Sequence, residues 1–357
     1  MRGLVIFVFA AVEPDSSTVK LGLLTMARRL SHREYNIGWV CALPKEQTAA
    51  SAMLDQPEHE ELPQPASDTN AYTLGSIAGH NVVIACLPLG KIGNSSSAAV
   101  AARMVSTFPA IKFCLMVGIA GGVGKDVRLG DVVVSTPSGP YPGVVQWDFG
   151  KSVVSREADG GFERTNALNN PPTSVLTALT KLQTRHAKFG SSIPQYLAEM
   201  VDKFPVLAEE YLRSDELVDV LFQPDNLHVE GPDCDGCDRE RVVKRKKRLN
   251  YLPRVHYGLI ASGNQVVKDA AMRNRINKML GGGVLCLEME AAGLMNDFPC
   301  IVVRGICDYA DSHKNKEWQE YAAAVAAAFG KEVLTVLPVA AVEQEKAIIS
   351  KDSWDRN

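Results

Sequence analysis

The 357-residue sequence has no hydrophobic run long enough to cross a bilayer and no large excess of charge of either sign. A membrane-spanning helix needs about 20 consecutive apolar residues, and the apolar run near the start, MRGLVIFVFAAVEP, is shorter. The 38 Lys and Arg residues nearly balance the 41 Asp and Glu residues, giving a net charge of -3. This balance provides no general attraction to nucleic acid or to an anionic membrane. We therefore expect neither as a partner.

The sequence also lacks the pattern of a disulfide framework or of a zinc finger. Its eight cysteines lie mostly inside apolar runs, which is typical of buried, reduced thiols. This usage favours a cytoplasmic protein, although the apolar run at the N-terminus leaves secretion open. Cys234 and Cys237 form a CxxC pair with no second pair at ligand spacing. We therefore expect no zinc at this pair. We also predict that the protein uses no other metal and no organic cofactor.

Alternating strand and helix patterns predict the fold class. Short β-prone runs such as YNIGWVCAL and KFCLMVGIAGGV alternate with helical runs such as SSSAAVAARMVSTF, whose N-cap is expected to be Asn94 or Ser95. The run WQEYAAAVAAAFGKEVLTVL predicts a long amphipathic helix. Together these patterns predict an α/β fold in a single domain, with a central mixed, mostly parallel sheet flanked by helices.

Changes in composition suggest the domain boundaries. Residues 1–34 precede the first clear strand and are expected to form an N-terminal extension. The domain itself is expected to span residues 35–340, followed by a polar tail at 341–357. Within the domain, the charged stretch at about 190–250 has no apolar period and is expected to be an irregular insertion.

Polar residues stand at the ends of several predicted strands, where ligands bind in open α/β sheets. Lys45 and Glu46 follow the first strand, although a Glu that opens a helix is often simply solvated. The run GIAGG, from Gly118 to Gly122, is expected to be a turn. It would either let the backbone approach a ligand or make a tight exit from the strand. No Gly-Lys-Ser/Thr follows, which excludes a Walker loop.

A cluster of buried charge is predicted near the C-terminal end of the domain. Glu288 and Glu290 are two residues apart in an apolar context, and Arg304 lies within an apolar strand that ends at Asp308. A buried Arg needs an acceptor, which Glu290 or Glu46 could supply. The cluster could be a structural ion pair. Alternatively, the converging carboxylates indicate acid–base chemistry on a neutral polar ligand.

The motifs LPKEQ, VGIAGG, LGDVVVS, GLIASGN, CLEMEAAG and VVRGICDYAD occur in this order. In this series the chain resembles the nucleoside phosphorylase and nucleosidase superfamily, which includes methylthioadenosine/adenosylhomocysteine nucleosidases, over about 35–337. The runs GVVQWDFGK, HYGLIASGNQ and GICDYADSHKNKEWQ look closest to a fungal branch that often precedes NACHT or ankyrin modules. The resemblance implies that residues 35–340 form a phosphorylase/hydrolase-like catalytic domain.

The resemblance implies roles for the charged residues in cleaving the bond between C1′ of ribose and N9 of a purine. Asp308 matches the Asp that protonates N7 of the leaving base. Glu46 matches the Glu that activates water, and Arg304 matches the Arg that helps to hold this water. Met289 and Glu290 match the pair that packs under the ribose and binds its hydroxyls. Further substrate contacts are expected from Glu288, from Gly118 and Ile119, from Gln265, Val266 and Val267 along the base, and from His313 and Lys314 at the 5′ substituent.

Departures from the family pattern bear on the nucleophile. The sequence ALPKEQ stands where phosphorylases of this superfamily usually have a Gly-Asp-Pro type loop with Arg, and Met116 stands where they have another Arg. The loss of two phosphate ligands favours water. Cys307 replaces a Ser that is frequent in nucleosidases. The basic run Arg239–Arg248 is expected to be a solvated loop or to meet a 5′-phosphate chain.

The resemblance therefore predicts a purine nucleosidase, with adenosine or ATP as the substrate. The alternatives are a phosphate-dependent purine nucleoside phosphorylase and a non-catalytic nucleoside-sensing domain. A pure sensor would not need both the acid and the base. The superfamily also implies a homo-oligomer.

Overall fold

The computed structural model describes residues 29–55, 58–154, 161–165, 167–231 and 233–349. Most of the expected extension, up to residue 28, and the end of the expected tail, from residue 350, lie outside the described residues. Of the helices that are described, none has both the length and the apolar character needed to cross a bilayer.

Eleven strands and eight α-helices make up the regular structure of the described residues. The strands are β1 Ile37–Cys41, β2 Tyr72–Ile77, β3 His80–Cys86, β4 Phe113–Gly122, β5 Val132–Ser135, β6 Val144–Gln146, β7 Gly150–Val153, β8 Gly161–Arg164, β9 Val255–Ser262, β10 Val284–Glu288 and β11 Cys300–Asp308. The helices are α1 Pro44–Ala52, α2 Asn94–Thr107, α3 Thr173–Phe189, α4 Ile193–Lys203, α5 Ala208–Tyr211, α6 Ala270–Met279, α7 Gln319–Val336 and α8 Val339–Gln344.

A single mixed sheet of nine strands forms the centre of the fold. Its order is β10-β9-β5-β11-β4-β1-β3-β2, and β6 pairs with β9. Six of its described strand pairings are parallel and three are antiparallel. This confirms the expected α/β class with a mostly parallel sheet. Because β10 also pairs with β4, strands β4, β11, β5, β9 and β10 close into a small barrel.

The last long helix, α7, is buried around nearly its whole circumference rather than amphipathic. Its residues from Tyr321 to Leu334 are all buried. One side packs on β11 and β4 while α1, α3, α4 and α5 cover the other. The contact with β11 is so close that a Cβ at Gly305 would lie 1.9 Å from the carbonyl oxygen of Ala322. Glycine is therefore needed at position 305 of β11.

The expected N-cap of helix α2 is wrong. The N-cap of α2 is Gly93, at φ 98°, and not Asn94 or Ser95. Asn94 is instead the first helical residue, and its Oδ1 accepts hydrogen bonds from Ser262 Oγ and Gly293 N, both at 3.2 Å. Its side chain joins α2 to the loops after β9 and β10, so it is not available to cap the helix.

The charged stretch at 190–250 is irregular only after its first part. Helix α4 lies at its start, because Ile193, Leu197 and Met200 recur at helical spacing and are buried. The remainder contains α5, a 3-10 turn at Arg239–Arg241 and an isolated bridge between Phe222 and Val242.

Candidate active site

A cleft opens where β1, β4, β10 and β11 end, and most of the predicted site residues line it. Its volume is about 170 Å³, and it is open to solvent. The predicted residues that line it are Glu46, Ile119, Gln265, Val266, Val267, Glu288, Met289, Glu290, Asp308 and Lys314. Gly118, Arg304 and His313 are not part of this lining.

Arg304 is fully buried and contacts two carboxylates. Its Nη2 donates to Glu288 Oε2 and lies 3.4 Å from Glu290 Oε2. Burial by itself lowers the pKa of Arg304, but the charges of Glu288, Glu290 and Glu46 outweigh burial and raise it. The guanidinium therefore stays charged. Its Nε and Nη1 have no hydrogen-bond partner among the described residues, so donor capacity remains for a ligand.

Glu46 is held in place by three backbone N–H groups. Ala42 N and Leu43 N donate to its Oε2 at 2.6 and 3.0 Å, and Ile119 N donates to its Oε1 at 2.8 Å. Pro44 fixes the first turn of α1 and thereby aims Glu46 back at the end of β1. Burial raises the pKa of Glu46, against the opposing effects of Arg304 and the three N–H groups.

The glycine run is the last part of strand β4 and not the expected turn. Gly118 pairs with Arg304 in the sheet. A Cβ at Gly118 would lie 2.4 Å from Glu46 Oε1 and 2.5 Å from Arg304 Nη1. Glycine is therefore required here because a carboxylate and a guanidinium meet above the strand. Of the two acceptors that the sequence offered for Arg304, Glu290 is the one within hydrogen-bond distance, and Glu46 lies nearby without bonding to it.

Glu288 and Glu290 lie at the end of β10, which is followed by a 3-10 turn at Ala291–Gly293. Glu288 Oε2 accepts hydrogen bonds from Glu290 N and Ala291 N, both at 3.0 Å. Glu290 Oε1 accepts a longer bond, 3.3 Å, from Gly93 N. Burial raises the pKa of Glu290 to about 7, although Arg304 opposes the shift. The carboxylate of Glu288 thus accepts more and shorter hydrogen bonds from the backbone than the carboxylate of Glu290 does.

Asp308 forms an ion pair that the sequence did not predict. Its Oδ1 accepts from Ala310 N at 2.8 Å, and its Oδ2 accepts from Lys314 Nζ at 2.6 Å. The Cys307 thiol lies 3.2 Å from Oδ2. Burial lowers the pKa of Lys314, but Asp308 outweighs this effect and raises it. Lys314 therefore contacts the expected proton donor, whereas the sequence assigned it to the 5′ substituent.

His313 lies away from the cleft, whereas Trp147 lines it. His313 stacks on Phe222 with ring centroids 4.0 Å apart, away from the cleft. Trp147 also lines the cleft, although the sequence did not predict it as a site residue. Its position directly after β6, at a strand end, is the feature of the sequence that indicates this role.

Two arginines of the basic run are paired within the protein. Arg245 binds Asp219 and the hydroxyl of Tyr309, and Arg248 binds both oxygens of Asp131. The side chains of these two arginines are 8% and 12% exposed, so they are not part of a solvated loop.

Comparison with known proteins identifies the family. The model of the phosphorylase superfamily matches residues 36–338. The chain belongs to the phosphorylase superfamily. An NLR-like protein of Hyaloscypha variabilis is 46% identical over 89% of the chain, although the chain covers only 31% of that protein. A 5′-methylthioadenosine/S-adenosylhomocysteine nucleosidase of Mycobacterium bovis is 22% identical over 85% of the chain and 97% of its own length.

Solved structures share the phosphorylase-superfamily fold. A 5′-methylthioadenosine/S-adenosylhomocysteine nucleosidase from S. pneumoniae, bound to a transition-state inhibitor, gives a TM-score of 0.52 at 20% identity, covering 85% of this chain and 100% of that one. Futalosine hydrolase of Helicobacter pylori gives 0.51 at 20% identity, covering 85% and 99%. The resemblance predicted from the motifs is therefore confirmed, and the NLR-like relative fits the fungal branch.

Proposed function

We propose that the chain hydrolyses the N-glycosidic bond of an adenine-type purine nucleoside or nucleotide, with adenosine and ATP as the two candidate substrates. The products are the free base and ribose or a ribose phosphate. The observation that carries this proposal is a single cleft with two groups of polar residues. Glu46 and Glu290 line it above the buried Arg304, and Asp308 with Lys314 lines it as well.

The nucleophile is water held at Glu46. A general base works best when its pKa is close to the operating pH, and burial raises the pKa of Glu46 in that direction. The unpartnered Nη1 of Arg304 supplies a donor beside Glu46 Oε1. Water gives its proton to Glu46 as its oxygen bonds to C1′.

Departure of the base is assigned to Asp308. The electrons of the C1′–N9 bond pass to the purine, and a proton from Asp308 neutralises N7. Asp308 Oδ2 accepts a hydrogen bond from Lys314 Nζ at 2.6 Å, which fixes the position of the carboxyl group at the cleft. Met289 and Glu290 support the ribose during this step.

Phosphate is disfavoured as the nucleophile because carboxylates surround the position that it would occupy. Like charges about 4 Å apart repel by roughly 4 kcal/mol at an effective dielectric constant of 20. Arg304 is already shared between Glu288 and Glu290. It therefore has too little charge left to offset this repulsion. The relatives that are named as nucleosidases and as a hydrolase agree with this choice.

The test is to incubate the protein with adenosine, inosine, methylthioadenosine, AMP and ATP, with and without phosphate, and to separate the products by chromatography. We expect free adenine and free ribose or ribose phosphate at a rate that does not depend on phosphate. Ribose 1-phosphate that forms only in phosphate buffer would instead identify a phosphorylase. Tight binding without any product would identify a nucleoside sensor. A homo-oligomer and a cytoplasmic location remain predictions.

A further inference from the structure

Two histidines and two cysteines from separate parts of the chain meet outside the cleft. We define the His/Cys cluster as His228, Cys234, Cys237 and His313. One ligand atom each of His228, Cys237 and His313 lies within 4.8 Å of the other two. The thiol of Cys234 lies 3.8 Å from the same His228 Nδ1 that is 3.4 Å from the thiol of Cys237. Three potential metal ligands are therefore gathered at one point, and the thiol of Cys234 lies beside one of them, His228.

The spacing of these atoms matches tetrahedral zinc coordination. Zinc binds thiolate at about 2.3 Å and imidazole nitrogen at about 2.0–2.1 Å, which sets a tetrahedral S···N separation of roughly 3.6 Å. The two measured separations, 3.4 and 3.8 Å, lie on either side of this value. The backbone supports the thiol pair, because Cys237 N donates to Cys234 O at 3.1 Å and closes the CxxC turn.

The surroundings of His313 leave its imidazole free to bind a metal. Its side chain is only 7% exposed. Neither ring nitrogen has a hydrogen-bond partner among the described residues, an arrangement that is costly for a buried polar group. Phe222 stacks on the ring, and Asp311 Oδ1 lies 3.6 Å from Nδ1. A carboxylate beside a histidine ligand is the arrangement that orients the ring in many metal sites.

We propose that the His/Cys cluster binds one zinc ion. His228, Cys237 and His313 lie at ligand spacing, and Cys234, which lies beside His228, would complete a closed Cys₂His₂ set of the kind found in structural zinc sites. The sequence predicts no zinc here because no second cysteine pair follows Cys234 and Cys237 at ligand spacing. The fold supplies two histidines instead, one of them from beyond the end of β11 at His313.

The ion would tie the charged insertion to the loop that carries Lys314. His228 N already donates to Ser312 Oγ at 3.0 Å, so the two segments are in contact. His313 is the neighbour of Lys314, whose ammonium binds Asp308. Zinc would therefore have a structural role and fix the position of this loop next to the cleft. The metal-binding claim itself does not depend on the proposed reaction.

The direct test is the metal content of the full-length protein, purified under reducing conditions without a metal-affinity tag. We expect about one zinc per chain by mass spectrometry of the metal. The double variant Cys234→Ser/Cys237→Ser should lose it, whereas Cys86→Ser, another partly exposed cysteine, should keep it. Retention of zinc by the folded double variant would overturn the proposal.

A second measurement covers the case in which the double variant does not fold. The wild-type protein is stripped of metal by a chelator and titrated with Co²⁺. A tetrahedral site with two thiolates gives intense visible bands and a sulfur-to-cobalt charge-transfer band, and zinc should displace them. The absence of these bands in reduced protein would refute the site.

Discussion

Replacing Glu46 by Gln separates the proposed chemistry from the stability of the site. The substitution keeps the size of the side chain, removes its charge and exchanges one acceptor oxygen for an NH₂ donor. Three backbone N–H groups point at the carboxylate: those of Ala42 and Leu43 at Oε2, and that of Ile119 at Oε1. An amide can accept at only one of these two oxygen positions.

The structural cost follows from this count. The better orientation turns the amide oxygen towards Ala42 and Leu43, and its NH₂ then faces the N–H of Ile119. One buried donor loses its acceptor, which costs about 1–3 kcal/mol. The loss of a general base should lower turnover by about 10²–10⁴-fold, equivalent to about 3–5 kcal/mol in activation free energy. Substrate binding should change much less.

Glu332 provides a matched control. It is also buried, and its carboxylate accepts hydrogen bonds from Ser192 N at 2.7 Å and Ser191 Oγ at 2.8 Å. Glu332→Gln should therefore also lower the free energy of unfolding, since it additionally breaks the ion pair with His186 Nε2 at 3.0 Å, and it should leave turnover unchanged. Urea denaturation and release of free adenine measure the two effects separately. If both variants lose turnover equally while folded, Glu46 has no catalytic role and the reasoning is refuted.

Three further predictions use other residues of the cleft. Asp308→Asn should lower turnover by about 10²–10⁴-fold while the protein stays folded, and an unchanged rate of base release would remove Asp308 from the mechanism. Folding raises the pKa of Glu290 from 4.5 to about 7, so the folded state binds the proton of this carboxyl group more tightly than the unfolded state does. The free energy of unfolding should therefore fall as the pH increases across that interval. The decrease should be on the order of 3 kcal/mol. Urea titrations at pH 5 and pH 8 should show a smaller decrease in the free energy of unfolding for Glu290→Gln. Gly118→Ala should reduce activity, because its methyl group would lie 2.4 Å from Glu46 Oε1. Gly283→Ala is the control and should leave activity unchanged, because its methyl group would meet nothing within 4 Å. Equal assay rates for the two variants would contradict this prediction.

The parts of the site that could be predicted from sequence belong to strand ends. Glu46, Glu290 and Asp308 follow or end apolar runs, and such runs show where strands stop. Parallel strands then bring those ends to one edge of the sheet. This reasoning predicts the buried Arg304 and one of its carboxylate partners, Glu290, but not the other, Glu288.

The parts that could not be predicted depend on contacts between irregular segments. His228 and His313 meet although no periodic pattern connects them, and the partner of Lys314 is set by the fold of one short loop. The N-cap expectation at Asn94 failed for a similar reason, since tertiary partners from distant loops take its side chain. Local propensity contains no information about such partners.

The position of β11 in the sheet has a consequence for the order in which the protein can fold. This strand lies between β4 and β5, although both end more than 160 residues before it begins. Until β11 is inserted, β4 and β5 each present an unpaired edge, which is a template for association with other chains. Arg304 and Asp308 arrive on the same strand. Recovery of activity during refolding should therefore report this late, long-range step, which is slow because distant pairings must first overcome loop-closure entropy.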